Sequence, residues 1–353
     1  MKLKRLTLTL LSVAMLLPTF SACDGGDVSA DDSTAAGTTE AVTRRETECE
    51  YDTEEDTSAM SETQLETVEE TETETETDEY LGENVLADPT FRNGFQLLTV
   101  SGGLAKNLPG RDGGVTTPVW QVAQWWCNHP LQDGTETITD TTYSITDASK
   151  EVTVDWSTGV LTMGLKASRE MEQGSTTKWP HLLIEQAIPA VSLKDAESVT
   201  ATVTFNILEN TDMRVGGQGL HAQFSWFIYI QDRNPESEGY NNFLWFGLNL
   251  FNSVSIGTGP YAAQDTAGGP GNFIYSLGSS SLLDKRLWIG RPTEIKCDIL
   301  PHIQKALETA QANGFMLGTE LEDVSITGMN IGWENFDRWD VRVTIEDMGI
   351  YVK

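Results

Sequence analysis

His221-Ala222-Gln223-Phe224-Ser225-Trp226-Phe227-Ile228-Tyr229-Ile230-Gln231 alternates with a period of two. Successive side chains of a strand point to opposite faces. Ala222, Phe224, Trp226, Ile228 and Ile230 therefore make one face, and His221, Gln223, Ser225, Phe227, Tyr229 and Gln231 the other. The first set is a core face. The second is unlike a solvated sheet surface, which normally carries Thr, Lys and Glu. Planar amides and aromatic rings suit a saccharide cleft: rings stack on pyranose C–H surfaces, and amides both donate to and accept from hydroxyls. A strand buried on both sides, with its polar groups satisfied internally, is the other interpretation.

The same period recurs along the chain. Val199, Ala201, Val203, Phe205 and Ile207 alternate with Thr200, Thr202, Thr204 and Asn206. Further strands are predicted at Glu151–Trp156, Val160–Leu165, His181–Ile188, Phe243–Phe251, Phe273–Leu277, Thr293–Asp298, Val324–Trp333 and Trp339–Val352. One segment breaks the pattern. Ile299, Ile303, Ala306, Leu307 and Ala310 lie on one helical stripe, with Asp298 to cap it, Pro301 in its first turn and Gly314 beyond its end. Many strands joined by Gly, Asn and Pro turns predict a mainly β fold: an antiparallel β-sandwich of jelly-roll type with one helix near the C-terminus.

The N-terminal part has a different composition. Lys2, Lys4 and Arg5 precede a mostly apolar run, Leu6 to Phe20, and then Ser21-Ala22-Cys23. This resembles a bacterial lipoprotein signal. The resemblance implies cleavage before Cys23, lipidation of its thiol, and an extracytoplasmic domain facing outward from the bacterial cell membrane. An ordinary secretory signal with a chance cysteine is the alternative. Residues 24–84 hold 22 Asp and Glu against two Arg, no Trp or Phe, and the repeat Thr71-Glu72-Thr73-Glu74-Thr75-Glu76-Thr77. Such a segment cannot bury enough apolar surface to offset its ordering entropy, so a disordered stalk is expected, on the order of 45 Å long as a coil. The chain carries a net charge of −30, which argues against nucleic acid as a partner. All ten tryptophans lie at or beyond Trp120, and no repeat or second linker interrupts residues 85–353. That block is expected to form one monomeric domain.

Within it, Cys127 and Cys297 form either a bridge or two separate buried thiols. With no Cys-x-x-Cys and no His cluster, no zinc site and no cofactor are expected. Trp125, Trp126 and Trp288 are expected in the core, and Gly257–Gly271 as a long loop able to act as a lid. His181 and Glu185 share a strand face, as do Asn330 and Glu334. If both strands lie in one sheet, Glu185 and Glu334 could flank a cleft as the carboxylate pair of glycoside hydrolysis.

From about Val119 onward, the order of elements resembles the concanavalin A-like jelly roll of family-12 glycoside hydrolases. Trp120–Trp126 is similar to their early strand, Asp298–Gly314 to their helix, and Gly332-Trp333-Glu334-Asn335-Phe336 to their late Gly-x-Glu-x-Phe segment. The resemblance implies that Glu334 stands at the acid/base position. The segment similar to the nucleophile strand carries Gln223 where a glutamate is needed, and a Gln cannot form the glycosyl ester. A second resemblance is to jelly-roll carbohydrate-binding modules, in Asn84–Phe95 and in Val343–Val352. It implies a structural calcium with Asp88 and Asp347 as candidate ligands.

Three function classes follow. The favoured one is a cell-surface lipoprotein that binds extracellular polysaccharide on a concave sheet face lined by His221, Gln223, Tyr229, Gln231, Trp245, Asn330 and Glu334. The alternative is a hydrolase or lyase acting on a β-linked polysaccharide, with Glu334 and Glu185 as acid and base. The third is a non-enzymatic adhesion protein.

Overall fold

Two twisted sheets, packed face to face, account for nearly all of the alternating segments. The computed structural model describes residues 80–113, 117–175, 178–216, 220–255, 257–265, 272–283 and 287–353. The signal, Cys23, Cys49 and the stalk as far as Glu79 lie outside the described residues, as do Gly217–Gly219 and much of the expected lid loop.

The back sheet has eight strands. In spatial order they are β15 (Thr293–Asp298), β10 (Val199–Asp212), β17 (Trp339–Val352), β8 (Val160–Lys166), β7 (Lys150–Asp155), β6 (Thr142–Thr146) and β5 (Thr135–Ile138), with the short β1 (Glu83–Asn84) paired to β17. The site sheet has nine: β13 (Tyr261–Gln264), β14 (Phe273–Leu277), β12 (Phe243–Asn252), β11 (Ala222–Asp232), β16 (Val324–Asn335), β9 (His181–Ser192), β4 (Trp120–Ala123), β2 (Phe95–Leu98) and β3 (Leu104–Leu108). Pairing is antiparallel except for β12 with β14 and β2 with β4, which are parallel. Helix α1 (Ala167–Glu170) follows β8, and helix α2 (Leu300–Ala312) follows β15. The result is the jelly-roll sandwich that the strand pattern predicts.

The core lies between the sheets. From β11 it receives Ala222, Phe224, Trp226, Ile228 and Ile230, and from β10 Val199, Ala201, Val203, Phe205 and Ile207, all fully or almost fully buried. Trp333 and Ile331 of β16 point the same way. Burying one such side chain stabilises the fold by roughly 2–3 kcal/mol. Helix α2 turns Ile303, Ala306, Leu307 and Ala310 inward against β12 and β14. The Asp298 carboxylate accepts the Leu300 N–H at 3.1 Å, and Gly314 leaves the helix at a φ of +85°.

Of the two alternatives for the cysteines the separate thiols hold, and two further expectations are corrected. Cys127 and Cys297 are free, one beside β9 and the other on β15 of the opposite sheet. Trp126 and Trp288 are about half exposed and Trp125 is half-buried: Trp125 and Trp126 lie in the turn that follows β4, and Trp288 in an irregular segment ahead of β15. Tyr261–Gln264, expected within a loop, pairs with β14 as a strand. Asp88 uses both carboxylate oxygens on the N–H groups of Arg92 and Asn93, at 2.9 and 2.8 Å, and exposed Asp347 lies at a bulge in β17. Among the described residues no three His, Cys, Asp or Glu side chains gather as a metal group.

Candidate functional site

The outward face of the site sheet is neither core nor fully solvated. Gln223, Phe227, Tyr229 and Gln231 of β11, Phe243, Trp245 and Asn249 of β12, Glu185 of β9 and Glu334 of β16 are all half-buried. Asn330 is buried beneath them. Strand register orders these residues into rows. One row runs Gln223–Glu334–His181 across β11, β16 and β9. A second runs Phe227–Asn330–Glu185–Gln121–Gln96 through to β2. A third pairs Tyr229 with Trp245.

Glu334 is the centre of the first row. The Gln223 side-chain amide donates from Nε2 to Glu334 Oε2 at 2.5 Å, and Gln223 Oε1 accepts from Asn249 Nδ2 at 3.2 Å. Asn249 Oδ1 in turn accepts from the Thr258 hydroxyl at 3.4 Å, which brings the chain after β12 to the edge of this face. The Gln223 amide is thus fixed in one orientation, donor toward the carboxylate. His181 Nδ1 stands 3.8 Å from Glu334 Oε1. Burial holds the His181 pKa below the ordinary imidazole range, with the Glu334 carboxylate opposing that shift. His221, hydrogen-bonded to the Gln223 side chain, is likewise lowered by burial. His181 Nε2 is buried and without a hydrogen-bond partner. Rings stand around this end of the face. Trp126 meets His181 edge-on at 5.0 Å, and Phe336 lies 5.1 Å from His221 and 5.2 Å from Trp179.

Glu185 belongs to a different cluster. The Trp125 side chain hydrogen-bonds it, yet burial pushes its carboxyl up to about 7. Its cross-strand neighbour Asn330 donates to the Tyr229 hydroxyl at 3.0 Å. Tyr229, Phe243 and Trp245 pack edge to face with centroids 4.5–5.9 Å apart. Glycines make room for them. A Cβ on Gly328 would meet the Tyr229 ring at 2.7 Å, and one on Gly247 the Phe227 ring at 2.6 Å.

Register therefore separates the two glutamates. Glu334 faces His181 and Asn330 faces Glu185, so the two carboxylate-bearing positions are offset by four residues, about 13 Å along the strands. The structure brings His221, Gln223 and Glu334 together, and separately Glu185, Asn330, Tyr229 and Trp245. Gln231 lies beside Phe243 at the far end of the face. His181, Asn249, Trp126, Trp179 and Phe336 join the site without having been candidates. His181 was reachable from its four-residue spacing to Glu185. Asn249 was reachable in the same way, from its four-residue spacing to Trp245 within β12.

No protein-family model matches the chain, and no characterised protein matches it in sequence. Solved structures do show similarity. One is a family-12 xyloglucanase from Bacillus licheniformis in complex with ligand (12% identity, 66% of this chain and 99% of that one, TM-score 0.39). Another is a meso-active thermo-stable cellulase derived from the Cel12A cellulase of Rhodothermus marinus (13%, 66% and 100%, TM-score 0.35). A third is endoglucanase 3 of Trichoderma harzianum, from glycoside hydrolase family 12 (9%, 68% and 100%, TM-score 0.35).

Proposed function

We propose that this protein binds polysaccharide on the outward face of the site sheet, and does so without cleaving it. The observation that carries this is the Gln223–Glu334 contact. The group placed beside the one carboxylate of the first row is a neutral amide, which can neither attack an anomeric carbon nor take a proton from water. Amides, imidazoles and rings at half-buried positions offer hydroxyl partners and stacking surfaces over several strands. At about 4.8 Å per strand, the five strands from β12 to β4 span roughly 19 Å, room for about four pyranose rings. The anchor belongs to the same proposal: lipidated Cys23 holds the chain at the outside of a bacterial membrane, and residues 24–84 lift the domain clear. Affinity electrophoresis of the full chain through gels containing neutral, uronate-rich and amino-sugar polysaccharides tests the binding. Retardation by at least one polymer, reduced by Gln223→Ala, supports it; no retardation by any polymer removes it.

A hydrolytic reading has one observation in its favour, the raised pKa of Glu185, which is the property of a general acid. Release of reducing ends that Glu185→Gln and Glu334→Gln each abolish would establish it.

A further inference from the structure

Trp126 has a φ of +55° and is 47% exposed. Bulky residues avoid this left-handed backbone, and a large ring held out in water gains nothing by adopting it. Such a conformation persists only where the surroundings over-determine it, and such residues cluster at ligand clamps. Here the surroundings are unusual. Beyond Trp126 the chain runs through Cys127, Asn128 and His129 into a fully buried ion pair of the opposite sheet. Lys150, the first residue of β7, and Glu170, the last of α1, both have completely buried side chains, with Nζ 2.9 Å from Oε1. Asp147 is 2.9 Å from the same ammonium.

The pair grips the turn through its backbone. Glu170 Oε2 accepts the N–H groups of Asn128 and, at 3.3 Å, of His129. The Glu170 carbonyl accepts from Asn128 Nδ2, and the His129 carbonyl accepts from Lys150 Nζ. On its other side the turn is tied to the site sheet. The His181 N–H donates to the Trp125 carbonyl at 3.0 Å, and Cys127 Sγ donates to the His181 carbonyl at 3.5 Å. The turn thus spans from the buried charges to the strand that carries His181, and Trp126 stands over that histidine, beside Glu334.

We propose that Lys150 and Glu170 are positioning residues, which act from the back sheet to hold the Trp125–His129 turn so that the Trp126 ring forms a wall of the saccharide site. The inference rests on the reading of this face as a polysaccharide-binding surface. Neither charge reaches a ligand. Their effect passes through the two N–H groups and one carbonyl of the turn, and an uncharged or apolar replacement leaves those groups poorly matched in a buried place.

The test joins a spectroscopic signature to a double-mutant cycle. Full-length protein labelled with 5-fluorotryptophan gives fluorine resonances for its ten tryptophans, and Trp126→Phe identifies the one at 126. Glu170→Gln is expected to shift or broaden that resonance and to weaken retardation by the best-retained polysaccharide about tenfold. In a Trp126→Ala background the same change should weaken it less than twofold, since the ring it positions is gone. Equal weakening in both backgrounds overturns the proposal, as does an unmoved Trp126 resonance. If Glu170→Gln does not fold, Lys150→Met/Glu170→Leu removes both charges together and is read by the same two measurements. If no polysaccharide retards the wild type, the binding reading falls and the resonance decides the positioning of the turn by itself; if the wild type is retarded and Trp126→Ala changes nothing, the proposed wall falls while the binding reading stands.

Discussion

The amide of Gln223 and the carboxylate of Glu334, 111 positions apart in sequence, meet across β11 and β16 at 2.5 Å, with Asn249 fixing which end of the amide faces the acid. Replacing Gln223 by Glu puts two carboxylates in that contact. Like charges so close cannot both ionise readily, so one pKa rises. A raised acid is neutral, and harmless to the fold, below its ordinary pKa; stability is then lost as pH climbs through the shifted value. Gln223→Glu is expected to match wild type at pH 4 and to fall short by about 1–3 kcal/mol at pH 8. Urea midpoints at the two pH values measure this. An equal deficit at both would mean that the charge is not the cause.

Glu185 makes a pH prediction of its own. Its folded pKa of about 7 lies above that of an unfolded glutamate, so the native state holds a proton that the unfolded state has released. Stability contributed by the neutral carboxyl is complete below about pH 4.5 and is lost as pH rises through 7. Wild type should therefore lose on the order of 2–3 kcal/mol relative to Glu185→Gln between pH 4.5 and 8.5. Parallel denaturation curves of the two proteins over that range would refute it.

The buried charges should obey the asymmetry of such pairs. Removing one partner strands the other away from water. Burial pulls the Lys150 ammonium down, but Cys127, Glu170 and Asp147 together hold its pKa above the ordinary lysine value. Lys150→Met or Glu170→Gln alone is expected to cost about 3–5 kcal/mol, whereas Lys150→Met/Glu170→Leu should recover much of that. Thermal unfolding of the three variants gives the comparison. Additive losses in the double variant would contradict it.

Two glycines let the rings lie against the sheet. Gly328→Ala drives a methyl to 2.7 Å from the Tyr229 ring and 3.1 Å from the Gln186 carbonyl. Tyr229 must then lift, losing the 3.0 Å hydrogen bond from Asn330. Overpacking of this kind costs about 1–3 kcal/mol. A change in near-ultraviolet circular dichroism, with polysaccharide retardation reduced, is the expected result. Unchanged spectra would show that the ring has another place to go.

Much of the fold was legible along the chain. Which side of a strand is buried is a local, period-two property, so the two faces of 221–231 and the inward turn of Ile331 and Trp333 could be read directly. The helix announced itself by its stripe and its Pro and Gly. The small strands β2, β3, β5 and β6 were not read, because four or five residues carry too little periodicity to stand apart from loops, and β4 entered only through the resemblance. The nature of the site residues was legible for the same local reason: Gln223, Tyr229 and Glu334 each sit opposite a core position.

Their company was not. Sequence determined which side chains leave the core, since that depends only on alternation within each strand. Register between strands decided that Glu334 would meet Gln223 and His181 and that its position would be four residues, about 13 Å of backbone, from that of Glu185, and register is settled by the packing of whole sheets. The placing of Trp126, which depends on a charge pair in the other sheet, arises only when both layers have closed on each other.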